Sequence, residues 1–144
     1  MNNIFYKKRY KYQLEEEYSI MTSIKPDWDV ITGLYTIEKT GLVTARYGYA
    51  WNGANVALDS LSIIRASLIH DVGCQAIVEG RLARKHKHQV DNEFRRICLE
   101  DGMSLLRVWY TFKAVDKYSC LGRENPTLSA PDPDAINADR SGGA

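Results

Sequence analysis

Apolar positions alternate with polar ones over the first half of the chain and recur at helical spacing over the second, a division that predicts an α+β fold. Between Ile4 and Ile24 tyrosines and β-branched residues are frequent, and Tyr18, Ile20, Thr22 and Ile24 fall on every second position. One or two short strands are expected there. Pro26 interrupts any regular element. The segment 33–49 is the clearest hairpin, with two β-rich arms meeting around Thr40 and Gly41. It runs into Trp51-Asn52-Gly53-Ala54-Asn55, a composition suited to a turn with positive φ or to backbone amides aimed at a ligand.

Beyond it, Leu61, Ile64, Leu68 and Val72 recur at helical spacing, and Ile63 and Ile77 widen the stripe. This predicts a first helix from about Ser60 to Glu79, N-capped by Asp59 or Ser60 and stopped by Gly80. A second helix, from about Arg84 to Asp101, carries Val90, Phe94, Ile97 and Cys98 on one face and stops at Gly102. The third, about Ser104 to Tyr118, carries Leu105, Val108, Trp109, Phe112 and Val115. The expected architecture is therefore N-terminal antiparallel β-hairpins packed on a C-terminal three-helix unit. After Gly122 the chain turns polar, small and net acidic and holds all but one of the four prolines. Residues 1–122 are thus expected to form one α+β domain and 123–144 a flexible acidic, Pro-rich tail.

Composition narrows the function classes. The 144 residues carry a formal charge of +1 with neutral histidines, which lacks the basic footprint of a nucleic-acid partner. Cys74, Cys98 and Cys120 are an odd number at wide spacing, as expected of reduced thiols rather than a disulfide framework or a paired zinc motif. No apolar run reaches signal-peptide or membrane-spanning length. Expression in the cytoplasm without a transmembrane segment is the expectation. The basic group Lys7 to Lys11 and the acidic Glu15 to Glu17 suit a solvated strand face.

Candidate chemistry concentrates between Arg65 and Asp91. Two antiparallel helices joined by a tight turn bring level the residues equally far from that turn. The midpoint between positions 70 and 91 falls between Gly80 and Arg81, where the break is expected on independent grounds. His70 and Asp91 should therefore sit side by side. Asp91 lies one residue from Val90 and three from Phe94, so its carboxylate points toward the apolar face, where an imidazole would satisfy it. The neighbours of His70 along the helix, Ala66, Ser67, Gly73 and Cys74, are small and leave space around the ring; Gly73 within a helix implies a close approach. Asp71 points about a quarter-turn away. His86 and His88, among Arg84, Lys85 and Lys87, read as a solvated basic helix start, and Trp28, Trp51 and Trp109 as core or turn packing.

At these residues the chain resembles two families. The closer is a phage and prophage family, domain of unknown function thirteen-fifty-three. The likeness is carried by Asn52-Gly53-Ala54-Asn55, Arg65-Ala66-Ser67-Leu68-Ile69-His70-Asp71, Asp91-Asn92-Glu93-Phe94, and Trp109 through Ala114-Val115. More distantly, His70-Asp71-Val72-Gly73-Cys74 and the Asp91 helix resemble prokaryotic phospholipase A2. That resemblance implies an antiparallel helix pair with His70 as general base and Asp91 orienting it. It also implies a calcium ion held by Asp71 with the loop Asn52, Gly53 and Asn55. Two departures bear on this: Asn52 stands where the phage family commonly has an aspartate, and Cys74 where the lipases have a tyrosine. The implied function is hydrolysis of a phospholipid-like ester at the bacterial envelope. The alternative is a non-catalytic virion component, a tail or capsid accessory protein, that retains the scaffold and binds other virion proteins.

Overall fold

The computed structural model describes residues 4, 6–7, 12–51 and 61–109. Within them, strands β1 (Tyr6–Lys7), β2 (Tyr12–Leu14), β3 (Tyr18–Met21), β4 (Val30–Ile31), β5 (Tyr35–Ile37), β6 (Leu42–Ala45) and β7 (Ala50–Trp51) precede helices α1 (Leu61–Val78) and α2 (Lys87–Glu100). All strand pairings are antiparallel. The architecture is α+β, with N-terminal hairpins followed by helices. Residues 105–109 are helical, at the expected start of the third helix. The remainder of that helix, the tail 123–144 and Cys120 lie outside the described residues.

The strands form two sheets, one of order β1-β2-β7 and one of order β3-β6-β5-β4. In β3 the alternation read from the sequence is the observed one, with Tyr18 and Ile20 buried and Ser19 and Met21 exposed. Hairpin β5–β6 pairs Tyr35 with Ala45 and Ile37 with Val43 and turns at residues 38–41, as its composition predicts. Strand β6 lies between β3 and β5, and Val43, Thr44 and Ala45 are all buried. The stretch from Ile4 to Ile24 holds more strands than the one or two expected. At Glu15–Glu17 the chain leaves β2, which pairs with β7 in the other sheet, where Leu14 also exchanges backbone hydrogen bonds with Gly48 and Tyr49. Pairing between segments so far apart in sequence leaves no local signature.

Helix α1 is the centre of the molecule, and every residue from Ile63 to His70 is buried. Side chains from the strand region reach it with hydrogen bonds: Trp51 Nε1 donates to Ser67 Oγ (3.0 Å), the Tyr49 hydroxyl to Gln75 Oε1 (2.8 Å) and the Tyr35 hydroxyl to Glu79 Oε1 (2.7 Å). Its end is a Schellman turn: Arg81 N donates to Ala76 O and Gly80 N to Ile77 O, with Gly80 at φ +74°. The chain then reverses through a short 3₁₀ turn, Arg84–His86, into α2. The second helix is expected from about Arg84; helical structure does start there, as the 3₁₀ turn, and α2 proper begins at Lys87. The tighter turn instead tucks His86 inside, so the expectation that His86 is solvated is corrected; His88 is exposed. Burial first, and Lys85 next to it, hold the His86 ring below its usual pKa.

At Gly73 helix α1 packs tightly against α2. A Cβ there would lie 2.7 Å from both methyl groups of Val90, so the close approach implied by a mid-helix glycine is the packing of α2 itself. Valine has one stiff torsion and cannot swing away. Gly73→Ala is therefore expected to lower stability by about 1–3 kcal/mol through overpacking, despite alanine's better helix propensity, and Val90→Ala in the same chain should recover part of the loss. Urea denaturation of the single and double variants measures both effects. Trp51 is core, its ring centroid 5.3 Å from that of Tyr12, and Trp28 is half-buried. Trp109, expected to pack, is 58% exposed.

Candidate active site

The reversal at Gly80 sets α1 and α2 side by side with His70 facing Asp91. His70 Nε2 lies 2.8 Å from Asp91 Oδ1, and the Asp91 side chain is wholly buried. The second carboxylate oxygen accepts from Lys87 Nζ, one turn earlier on α2. Burial alone would push the Asp91 carboxyl upward, but the hydrogen bonds from His70 and Lys87 outweigh it and hold the group below its ordinary value. Asp91 is thus an anion at neutral pH, and an anion accepts from Nε2–H. In a neutral imidazole this contact puts the proton on Nε2 and leaves the lone pair on Nδ1.

Phe94, one turn after Val90 on α2, presents its ring to His70 in a T-shaped contact, with centroids 5.6 Å apart. Cys74 Sγ lies 3.7 Å from Nδ1 and 3.8 Å from Nε2, over the face of the ring. The small neighbours therefore do not leave the ring in open space: sulfur and phenyl hold it, and the His70 side chain is 7% exposed. Asp71, Cys74 and Gln75, on the same helix, are each half-buried.

Asp71 does not join the pair. It sits near Tyr49, whose phenol is raised first by burial and then by this carboxylate. Burial pushes the Asp71 carboxyl up to about 7. Between the ordinary aspartate pKa, near 3.9, and about 7, the folded state holds more protons at Asp71 than the unfolded chain does, so its stability falls as pH rises through that window. Asp71→Asn should flatten this slope and gain more over the wild type at pH 8 than at pH 4. Equal slopes in thermal denaturation across that range would contradict the assignment.

Asn52, Gly53 and Asn55, expected to complete a calcium site, lie outside the described residues. Among the described residues no group of three or more His, Cys, Asp or Glu side chains is placed to hold a metal ion. Asp71 alone is one carboxylate, against the six to eight oxygens that calcium takes.

No known family, curated protein or solved structure matches the chain.

Two further side chains stand at the pair, Lys87 beside Asp91 and Cys74 beside His70. In the sequence Lys87 reads as part of a solvated basic cluster, although its i,i+4 spacing from Asp91 is the signal that places it at the site. Cys74 reads as a small spacer, although it stands one turn from His70 on the same face. A separate buried network, Arg65 with Asp101, Glu100 and Tyr18, joins α1 to the end of α2 and to β3. No local pattern announces it, because its members lie far apart in sequence.

Proposed function

We propose that this chain is an ester hydrolase of phage or prophage type that acts on phospholipid-like esters at the bacterial envelope. The observation that carries the reading is the 2.8 Å contact between His70 Nε2 and a buried, doubly hydrogen-bonded Asp91. It leaves Nδ1 as the acceptor on a ring whose orientation is fixed, the arrangement a general base requires. Asp91 orients the ring and stabilises the imidazolium that forms when Nδ1 takes a proton. Lys87 keeps Asp91 anionic. Such a positioned base contributes ~10²- to 10⁴-fold to a hydrolysis rate. The envelope setting and the lipid class rest on the resemblance in sequence around His70-Asp71 and Asp91-Asn92-Glu93-Phe94. Fatty-acid release from vesicles of bacterial phospholipids, measured with and without added calcium, tests the reading. Release above the buffer rate supports it, and inactivity on every phospholipid in both conditions overturns the lipid assignment.

A second reading has its own observation, the near-complete burial of the pair, which also ties α1 to α2. A non-catalytic virion component would use His70 and Asp91 as such a tie. In that case His70→Ala alters stability or particle assembly with no activity to lose, and the chain is found in purified particles by mass spectrometry. Its absence from particles would rule this reading out.

A further inference from the structure

We propose that Lys87 is the positioning residue of this site: its ammonium offsets the charge of Asp91, so that His70 stays a neutral ring with no proton on Nδ1. The consequence for catalysis rests on the hydrolase reading, whereas the state of the ring does not. Lys87 Nζ donates to Asp91 Oδ2 and His70 Nε2 meets Asp91 Oδ1 at 2.8 Å, so the two groups share one carboxylate. That carboxylate is wholly buried, and the Lys87 side chain is only 20% exposed. Lys85, two residues earlier, pairs instead with Asp27, and both of those side chains are exposed.

Local helix energetics do not account for a lysine at this position. Lys87 is the first residue of α2, where the positive end of the helix dipole disfavours a cation. A cation four residues before its acid is also the weaker order of an i,i+4 pair. What the position supplies is reach to the carboxylate that faces His70.

Charge then decides the state of the ring. Lys87 and Asp91 sum to zero beside a neutral imidazole, so the buried site needs no further proton. Without the ammonium, the site would hold an uncompensated buried anion, which is strongly disfavoured. Two protonations relieve it. A proton on the ring makes an imidazolium, with an N–H at both nitrogens. A proton on Asp91 makes the carboxyl a donor to Nε2, and the ring's own proton then sits on Nδ1. Either way Nδ1 carries a proton, and the lone pair that a general base uses is gone. Among the described residues, the ionisable groups that act on Asp91 are His70 and Lys87, so the lysine is the cation on which this balance depends.

Nitrogen NMR of the isotopically labelled full chain at neutral pH tests this, because bare and protonated ring nitrogens resonate far apart; His70→Gln assigns the His70 signals. The wild type is expected to show a bare Nδ1. Lys87→Met should show it protonated, and so should Lys87→Gln, which keeps a donor to Asp91 but not the charge. Lys87→Arg, which keeps the charge, should restore the bare nitrogen. In an active protein, kcat for p-nitrophenyl butyrate should fall at least ~10-fold in Lys87→Met at unchanged KM and recover in Lys87→Arg. A protonated Nδ1 in the wild type, a bare Nδ1 in folded Lys87→Met or Lys87→Gln, or an undiminished kcat in Lys87→Met overturns the proposal. If the wild type cleaves no ester, the hydrolase reading fails, and the spectra alone decide the role of Lys87. Circular dichroism of each variant confirms the fold in which its spectrum is read.

Discussion

Arg65→Ala is expected to destabilise the protein by about 3–5 kcal/mol, a large share of the ~5–15 kcal/mol that holds an ordinary domain together. The Arg65 side chain is 2% exposed, and its guanidinium makes a fork with Asp101, Nε to Oδ2 at 2.9 Å and Nη2 to Oδ1 at 2.7 Å. Nη1 donates to the Tyr18 hydroxyl at 2.9 Å. Alanine would leave the Asp101 carboxylate, itself 3% exposed, buried without its counter-charge, and that orphaned charge rather than the lost attraction dominates the effect. The partner Glu100 adds little, because its side chain is 43% exposed and solvent screens the pair. Arg65→Lys should recover only part of the loss, since an ammonium cannot reproduce the planar two-pronged contact. Urea denaturation of the three proteins measures this. A loss below about 1 kcal/mol in Arg65→Ala would mean that the network is not closed in solution.

His70→Ala should lower ester hydrolysis by ~10²- to 10⁴-fold with the fold retained, because it removes the base and leaves binding surfaces in place. Alanine also leaves Asp91 with Lys87 alone, so a loss of stability accompanies the loss of rate and has to be separated from it. His70→Gln makes the separation. Its amide can donate to Asp91 and fills similar space, but it has no basic nitrogen. The glutamine variant is therefore expected to be as inactive as the alanine variant and more stable. Equal stability of the two, with activity kept in His70→Gln, would show that the ring serves only to tie α1 to α2.

What was legible in the sequence follows the range of the interactions concerned. The 3.6-residue recurrence from Leu61 to Ile77 marks α1, and Gly80 marks its stop, because helix formation and capping are decided within a few residues. The same locality makes the pairing of His70 with Asp91 readable: a tight turn at a known place converts equal sequence distance into spatial adjacency. The split of β2 from β3 and the Arg65 network depend on partners dozens of residues away, and alternation in one segment carries no information about them. His86 misled for a related reason. A histidine among basic residues reads as solvated, and only the 3₁₀ turn at Arg84–His86 turns its side chain inward. Cys74 and Lys87 were within reach of a local reading, since both stand four residues from a member of the pair.

The central claim is that His70 and Asp91 work as one base. Its most direct test is kcat/KM for ester hydrolysis in the wild type, His70→Ala, Asp91→Asn and the double variant. Groups that act as a unit are grossly non-additive. The double variant is therefore predicted to be no slower than His70→Ala, because an orienting carboxylate has nothing to orient once the ring is gone. Losses that multiply in the double variant, or an Asp91→Asn protein as fast as the wild type, would contradict the account.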